Sequence, residues 1–320
     1  METAVTVSKK LKKLIRSRAR RTGESYCAAR NVLLRRNRAA LGQRAEVIAI
    51  AGMKGGIGRS TLAVLLASEM HSRGERVLLV GVQRADVPFG EPTGSPCSVE
   101  YWRTCAERGG FDTPVTIGIR DRMLLSWEFA ELVSGYSLVI VDCPKVAEIQ
   151  YAAMMWADTV LVLCSTSPVV TMSMNDTVAL VGLGRRHNPS LASRLVITME
   201  EPRAKSRRIA ALCEVVNEFG IEVAAPILRR RAAFMAGLSA GRPLSNYASG
   251  SKASIELQSL LAELFPAGRA ARPDMWRPSD VLPRIGVLGE EEYLLHKRMG
   301  NFYCAYVARV EPRRHLLRRR

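Results

Sequence analysis

The chain has 320 residues, 48% hydrophobic and 24% charged, a composition that excludes a wholly disordered or collagen-like protein. Its 47 Lys and Arg outweigh 30 Asp and Glu to give a net +17, and the excess lies at the ends: residues 1–46 carry 13 basic residues against three Glu, and residues 267–320 carry 12 against six acidic ones. Residues 47–266 are thereby left near neutrality, and basic ends of this kind suit nucleic acid or an anionic membrane surface, or are two solvated tails.

In chain order, Ser8 to Arg21 sets Leu11, Leu14 and Ile15 at helical spacing among lysines and arginines, which predicts a short basic amphipathic helix. Thr22-Gly23-Glu24 breaks it, Ser25 can cap, and Tyr26, Ala29, Val32 and Leu33 open a second helical pattern. Residues 1–45 are expected to form either a small DNA-binding element or a flexible basic arm. From Glu46 to about Pro266 apolar strands alternate with amphipathic helices, the pattern of parallel βαβ units. Val47 to Ala51 reads as a strand, Gly52 to Gly58 as a glycine-rich turn, Ser60 to Ser72 as a helix and Arg76 to Val82 as the next strand. Residues 84–120 are turn-rich and resist assignment. Strands are expected at Ser137 to Asp142, Thr159 to Cys164, Leu195 to Thr198 and Glu222 to Ile227, and helices at Arg207 to Phe219 and Ser254 to Leu264. Residues 267–320 read as a proline-interrupted linker and a basic extension, with a compact or amphipathic piece from Glu290 to Val310.

The stretch Gly52-Met53-Lys54-Gly55-Gly56-Ile57-Gly58-Arg59-Ser60-Thr61 follows a strand and opens a helix. Small residues there let backbone N–H groups turn inward around phosphate oxygens, the helix N-terminus adds the positive end of its dipole, and the Ser60 hydroxyl is placed to ligand Mg²⁺. The strict pattern G-x-x-x-x-G-K-[ST] is missed twice, by Met53 at the first Gly and Arg59 at the Lys. Lys54 to Thr61 nevertheless resembles the deviant phosphate loop K-G-G-x-G-K-[ST]-[ST] of the ParA/MinD group of ATPases. Tyr136 to Pro144 resembles that group's Walker B strand, Ala157 to Val162 with Ser165 to Val169 its next strand and loop, and Ala225 to Phe234, Ala236 to Pro243 and Gly250 to Leu257 the C-terminal part of small ParA-type plasmid partition ATPases.

The resemblance covers about residues 46–266 and implies an α/β fold, a doubly wound, mainly parallel sheet carrying a P-loop, framed by the two basic extensions. It further implies ATP and Mg²⁺ as cofactors, an ATP-dependent homodimer in which Lys54 reaches the partner's phosphates, nonspecific DNA as a ligand of the dimer, and a centromere-binding adaptor that stimulates hydrolysis. By the same resemblance Lys54, Gly55, Gly56, Ile57, Gly58, Arg59, Ser60 and Thr61 bind the nucleotide, Ser60 and Asp142 serve the metal, Lys54 and Asp142 serve catalysis, and Pro226 and Arg229 sit near the adenine. The sequence departs from the family where hydrolysis is most sensitive. Arg59 puts a bulkier, planar cation where a compact ammonium is usual. The family's D-x-D-P-Q is replaced by Gly81-Val82-Gln83-Arg84-Ala85, so both carboxylates are missing, with Gln83 or Asp86 left to orient a water. ATP binding is expected more firmly than hydrolysis.

Seven cysteines (Cys27, Cys97, Cys105, Cys143, Cys164, Cys213 and Cys304) without a C-x-x-C pair argue against a disulfide or metal scaffold and for a reducing cytoplasm, and Cys143 is expected to be buried at a strand end. The four histidines lack ligand spacing. Arg203, Lys205, Arg207 and Arg208, with Arg229-Arg230-Arg231, form basic clusters suited to phosphate contact or to a solvated face. Tyr293 to Val307, with its basic flanks, suits a membrane-surface helix or packing against a protein surface. The favoured function is a ParA-like DNA partition protein, cytoplasmic and nucleoid-associated; the alternatives are a catalytically degenerate P-loop scaffold and a MinD-like membrane positioning ATPase.

Overall fold

A computed structural model describes residues 45–83, 98–124, 129, 132–133, 135–201 and 206–266. The expected basic helices of residues 1–44, Asp86, Arg203, Lys205 and the whole extension 267–320 lie outside the described residues. In chain order the elements are β1 (Glu46–Ala51), α1 (Arg59–Ser72), β2 (Val77–Gln83), α2 (Ser98–Arg108), β3 (Val115–Arg120), α3 (Asp121–Leu124), β4 (Leu138–Asp142), α4 (Ala147–Trp156), β5 (Thr159–Cys164), α5 (Pro168–Met172), α6 (Met174–His187), β6 (Ala192–Glu200), α7 (Ser206–Glu218), β7 (Glu222–Val223), β8 (Leu228–Arg229), α8 (Ala232–Ser239), α9 (Leu244–Tyr247) and α10 (Lys252–Leu264).

The strand order is β3-β2-β4-β1-β5-β6-β7, with β8 also paired to β6, and every recorded pairing is parallel. The central strands are buried on both faces, which explains their unbroken apolar runs. Strand periodicity divides their side chains between two layers. Val47, Ala49 and Ala51 of β1 join the core formed with α4, α6 and α7. Ile48 and Ile50 join the opposite core, formed with α1, α2, α8 and α10. Helix α1 lies between the sheet and the outer helices, so Leu62 to Met70 are all buried, Glu69 among them. The Glu69 carboxylate accepts from the Ser245 N–H at 2.8 Å and from Gln258 Nε2 at 2.9 Å, which satisfies a charge that would otherwise be costly inside.

Three sequence expectations are corrected. The stretch left unassigned contains α2 and the edge strand β3. The single strand expected at Glu222 to Ile227 is only β7, set on Arg194 and Leu195 of β6, and just beyond that span β8 pairs with Thr198 and Glu200 of β6, with an irregularity between those two; Pro226, which has no N–H to give to a ladder, lies between β7 and β8. The strand expected at Leu195 to Thr198 is longer, running from Ala192 to Glu200. Cys143 is buried at the end of β4, as expected.

The first strand leads to β2 on one side, whereas the chain passes from β4 across β1 to β5 on the other. The order thus reverses at β1, and the loops after β1 and β4 open side by side at the C-terminal ends of the strands, where doubly wound sheets bind ligands.

Candidate functional site

The loop Gly52–Gly58 leaves β1 and turns directly into α1. Gly58 caps α1 at φ 88, a left-handed conformation that costs an L side chain about 1–2 kcal/mol. A Cβ on Gly52 would lie 2.6 Å from the Ile57 Cδ1, so the loop closes on its own buried isoleucine. Gly55 and Gly56 are exposed at the crest, Ile57 is buried, and Lys54, Gly58, Arg59, Ser60 and Thr61 are half-buried. The Ile57 carbonyl accepts from Thr198 Oγ1 at 2.8 Å, which ties the loop to β6. Met53 occupies its position without positive φ, so the first Gly of the strict pattern is dispensable here.

Asp142 ends β4 in register with Ile50 of β1 and Gly81 of β2. Its carboxyl accepts a hydrogen bond from Ser60 and feels the Arg59 charge, yet burial outweighs both and raises its pKa from 3.8 to about 6. Its Oδ1 is buried with no hydrogen-bond partner among the described residues. A buried carboxylate oxygen beside a serine hydroxyl fits Mg²⁺, a hard ion that takes one or two protein oxygens and fills its shell with phosphate and water. Among the described residues no group of three His, Cys, Asp or Glu is placed to hold a metal by itself, so an ion here would draw most of its shell from phosphate and water.

The Arg59 guanidinium folds back on the loop, with Nη1 donating to the Gly52 carbonyl and, at 2.6 Å, to the Lys54 carbonyl. Burial lowers its pKa from the ordinary value, and the nearby Asp142 works in the opposite direction. Gly81 brings no carboxylate beside Asp142, and Gln83 ends β2 half-buried. Burial, reinforced by Asp142, also raises the Cys143 thiol pKa, so Cys143 is a packed neutral residue and not a nucleophile.

Several residues that bear on the site escape the sequence reading. Met199 is the one described non-glycine residue with positive φ, at 55°. Its Cγ would lie 3.8 Å from a Cβ on Gly58, and it is 40% exposed, so it forms an apolar wall beside the loop. The flanking residues hold it there. Thr198 bonds Ile57, the Glu200 carboxylate accepts from the Thr166 N–H at 2.8 Å and Oγ1 at 2.7 Å, and the Glu200 carbonyl accepts from the Arg230 N–H at 2.8 Å. The basic run 229–231 is largely engaged within the fold. Arg231 Nε donates to Glu256 at 3.1 Å, Arg230 pairs with Glu201 at 3.4 Å, and Arg229 Nη1 donates to the Glu201 carbonyl at 2.9 Å. Arg207 and Arg208 are exposed.

A family model described as "AAA domain" matches residues 45–85, the segment from β1 through the loop and α1 to just past β2. "Maintenance of carboxysome distribution protein A" of Gloeobacter kilaueensis is 31% identical over 245 residues, spanning 75% of this chain and 94% of that protein. The protein of the same name from Halothiobacillus neapolitanus is 25% identical over 228 residues, spanning 70% of this chain and 98% of that one. Cobyrinic acid a,c-diamide synthase from Mycobacterium smegmatis, solved with a bound ATP analog and magnesium, has the same fold at 20% identity, with a TM-score of 0.50 over 72% of this chain and 100% of that one.

Proposed function

Because the chain belongs to the ParA/MinD family of P-loop ATPases, we propose that it is a nucleotide switch that distributes a large intracellular cargo over DNA. The observation that carries this reading is the Asp142 oxygen left without a partner beside Ser60, at the mouth of a loop built for phosphate. In this reading the loop amides from Gly55 to Thr61 cradle the phosphates, Ser60 and Asp142 hold the metal shell, and Met199 walls the nucleotide at the end of β6. Magnesium supplies neutralisation of phosphate charge and orientation of the phosphoryl group. Lys54 of each copy serves the nucleotide held by the other, so a dimer forms only when both sites are filled. The names of the relatives support distribution of a cargo, with plasmid or chromosome partition as one form of the same task. Hydrolysis is slow, because Gly81 and Gln83 bring no carboxylate to a water and the Arg59 donors are engaged by loop carbonyls.

Equilibrium binding of Mg²⁺-ATP, with phosphate release followed in the same samples, tests the reading. Micromolar binding is expected, lost in Lys54→Ala, with little phosphate released. Arg59→Lys should raise release about tenfold, a gain of roughly 1.4 kcal/mol in the transition state. Absence of binding at millimolar ATP would overturn the switch and leave a basic scaffold on an ATPase fold.

The paired, nucleotide-bound form is further proposed to bind DNA regardless of sequence and to associate with the nucleoid, where an adaptor on the cargo would meet it. The basic ends and the exposed Arg207 and Arg208 supply the contacts. Neutralising about six phosphates predicts an affinity loss on the order of a thousandfold between 50 and 200 mM salt. Fluorescence anisotropy on two unrelated duplexes measures this, and a salt-tolerant preference for one sequence would refute it.

A further inference from the structure

Gln150 lies on α4, fully buried (0% exposed) in a helix whose neighbouring residues Ile149 and Tyr151 to Trp156 are buried as well. Burying a primary amide is unfavourable unless its donors and acceptor are met, and a leucine or methionine of similar volume would fill such a site at less cost. Here all the partners belong to two loops of the nucleotide site. The Gln150 Oε1 accepts from the Gly52 N–H at 3.1 Å, and its Nε2 donates to the Gly52 carbonyl at 3.2 Å and to the Pro144 carbonyl at 2.9 Å. Only one orientation of the amide meets all three, because the opposite one would turn an oxygen toward two carbonyls.

The consequence is geometric. Gly52 is the root of the phosphate loop, two residues before Lys54, and Pro144 follows the Asp142 strand by two residues. A planar side chain from a third element therefore sets the spacing between the loop that carries Lys54 and the loop that follows Asp142. The next amide is held in the same way: the Met53 N–H donates to Thr177 Oγ1 of α6 at 3.2 Å. The Gly52 carbonyl is also one of the two on which Arg59 rests, so Gln150 mounts the oxygen that parks the guanidinium.

We infer that Gln150 is a positioning residue that locks the root of the phosphate loop to the loop after β4, and that the nucleotide site is held ready by this amide. The inference rests on the nucleotide-switch reading for its functional consequence, but its structural content can be tested without nucleotide.

The experiment uses the full chain and two variants, Gln150→Leu, which removes all three hydrogen bonds, and Gln150→Glu, which keeps the acceptor for the Gly52 N–H and removes both donors. Amide hydrogen exchange of the nucleotide-free protein is expected to rise at least tenfold across residues 52–58 and 144–146 in both variants, with β5 and β6 unchanged. Binding of a non-hydrolysable ATP analogue with Mg²⁺ should weaken about tenfold in both variants, while the melting temperature of Gln150→Leu falls by only a few degrees, for the Gly52 N–H and the Pro144 carbonyl that lose this partner. A purely space-filling glutamine would instead let Gln150→Leu keep the parent's loop exchange and affinity, and that result would overturn the inference. Failure of the parent itself to bind the analogue would refute the nucleotide-switch reading, while the exchange comparison would still decide the role of Gln150. If one variant fails to fold, the other supplies the same comparison.

Discussion

Replacing Asp142 by asparagine is expected to stabilise the nucleotide-free protein at neutral pH and to abolish its Mg²⁺-dependent gain in nucleotide affinity. Folding raises this carboxyl from 3.8 to about 6, chiefly because the ion is stripped of water. The folded chain therefore holds the proton more tightly than the unfolded chain does. That advantage is complete below about pH 4 and is lost as the pH rises through about 6, leaving the ionised protein less stable by about 3 kcal/mol. Asparagine keeps a partner for Ser60 and carries no charge to desolvate. Thermal melts should thus place Asp142→Asn above the parent at pH 8 and level with it at pH 4. The same substitution removes the anionic oxygen proposed for the metal shell, so the tightening of nucleotide binding by Mg²⁺ should fall roughly a hundredfold. Coincident melting curves at pH 8 would show that Asp142 is not strained by burial, and an intact Mg²⁺ effect would remove it from the metal site. A site that folds at a cost until metal and phosphate arrive is what a ligand-driven switch requires.

Gly241→Ala is expected to be the most damaging single-methyl change in the described fold. Gly241 sits at φ 67, and a Cβ there would come within 2.3 Å of the Ala106 nitrogen, 2.5 Å of its Cα and 2.6 Å of the Cys105 carbonyl carbon. All three are backbone atoms of α2 and cannot swing aside. Overpacking and left-handed strain together predict a loss of roughly 3 kcal/mol, or about 10 °C in melting temperature for a domain of this size. Gly250→Ala is the control. Gly250 has a similar φ of 73 but nothing within 4 Å of the added methyl, so only the conformational cost of about 1 kcal/mol applies. Equal losses at the two positions would show that α2 yields. The neighbouring Arg242 guanidinium, 5.3 Å from the Phe111 ring centroid, packs the same turn against the segment after α2.

The amino-acid sequence by itself determined the parts whose physics is local. Strands β1, β2, β4 and β5 are readable because burial on both faces demands unbroken apolar runs, and the phosphate loop is readable because its cradle is made by the backbone of consecutive residues. Ser60 and Asp142 follow from the same motifs, and the structure brings them into hydrogen-bond contact. The edge strand β3 was hidden because an edge needs only part of the apolar pattern: Val-Thr-Ile-Gly-Ile-Arg, after Pro114, mixes an exposed Val115 and Gly118 with buried Thr116 and Ile119. The pairings β7 and β8, of two residues each, were too short for any periodicity to register.

Only the tertiary structure decided what each polar group faces. Gln150 meets Gly52 across 98 residues of sequence, Glu200 meets Thr166 across 34, and Arg231 meets Glu256 across 25. Nothing in the spacing of those residues encodes the encounter, because hydrogen-bond partners are set by how the sheet stacks its loops and not by the period of any one element. The positive φ of Met199 has the same origin, since a methionine has no intrinsic preference for that conformation and adopts it where its neighbours on both sides are bound. The motif named the phosphate loop; the fold alone supplied the amide that holds its root, the carbonyls on which Arg59 rests and the unpartnered oxygen of Asp142.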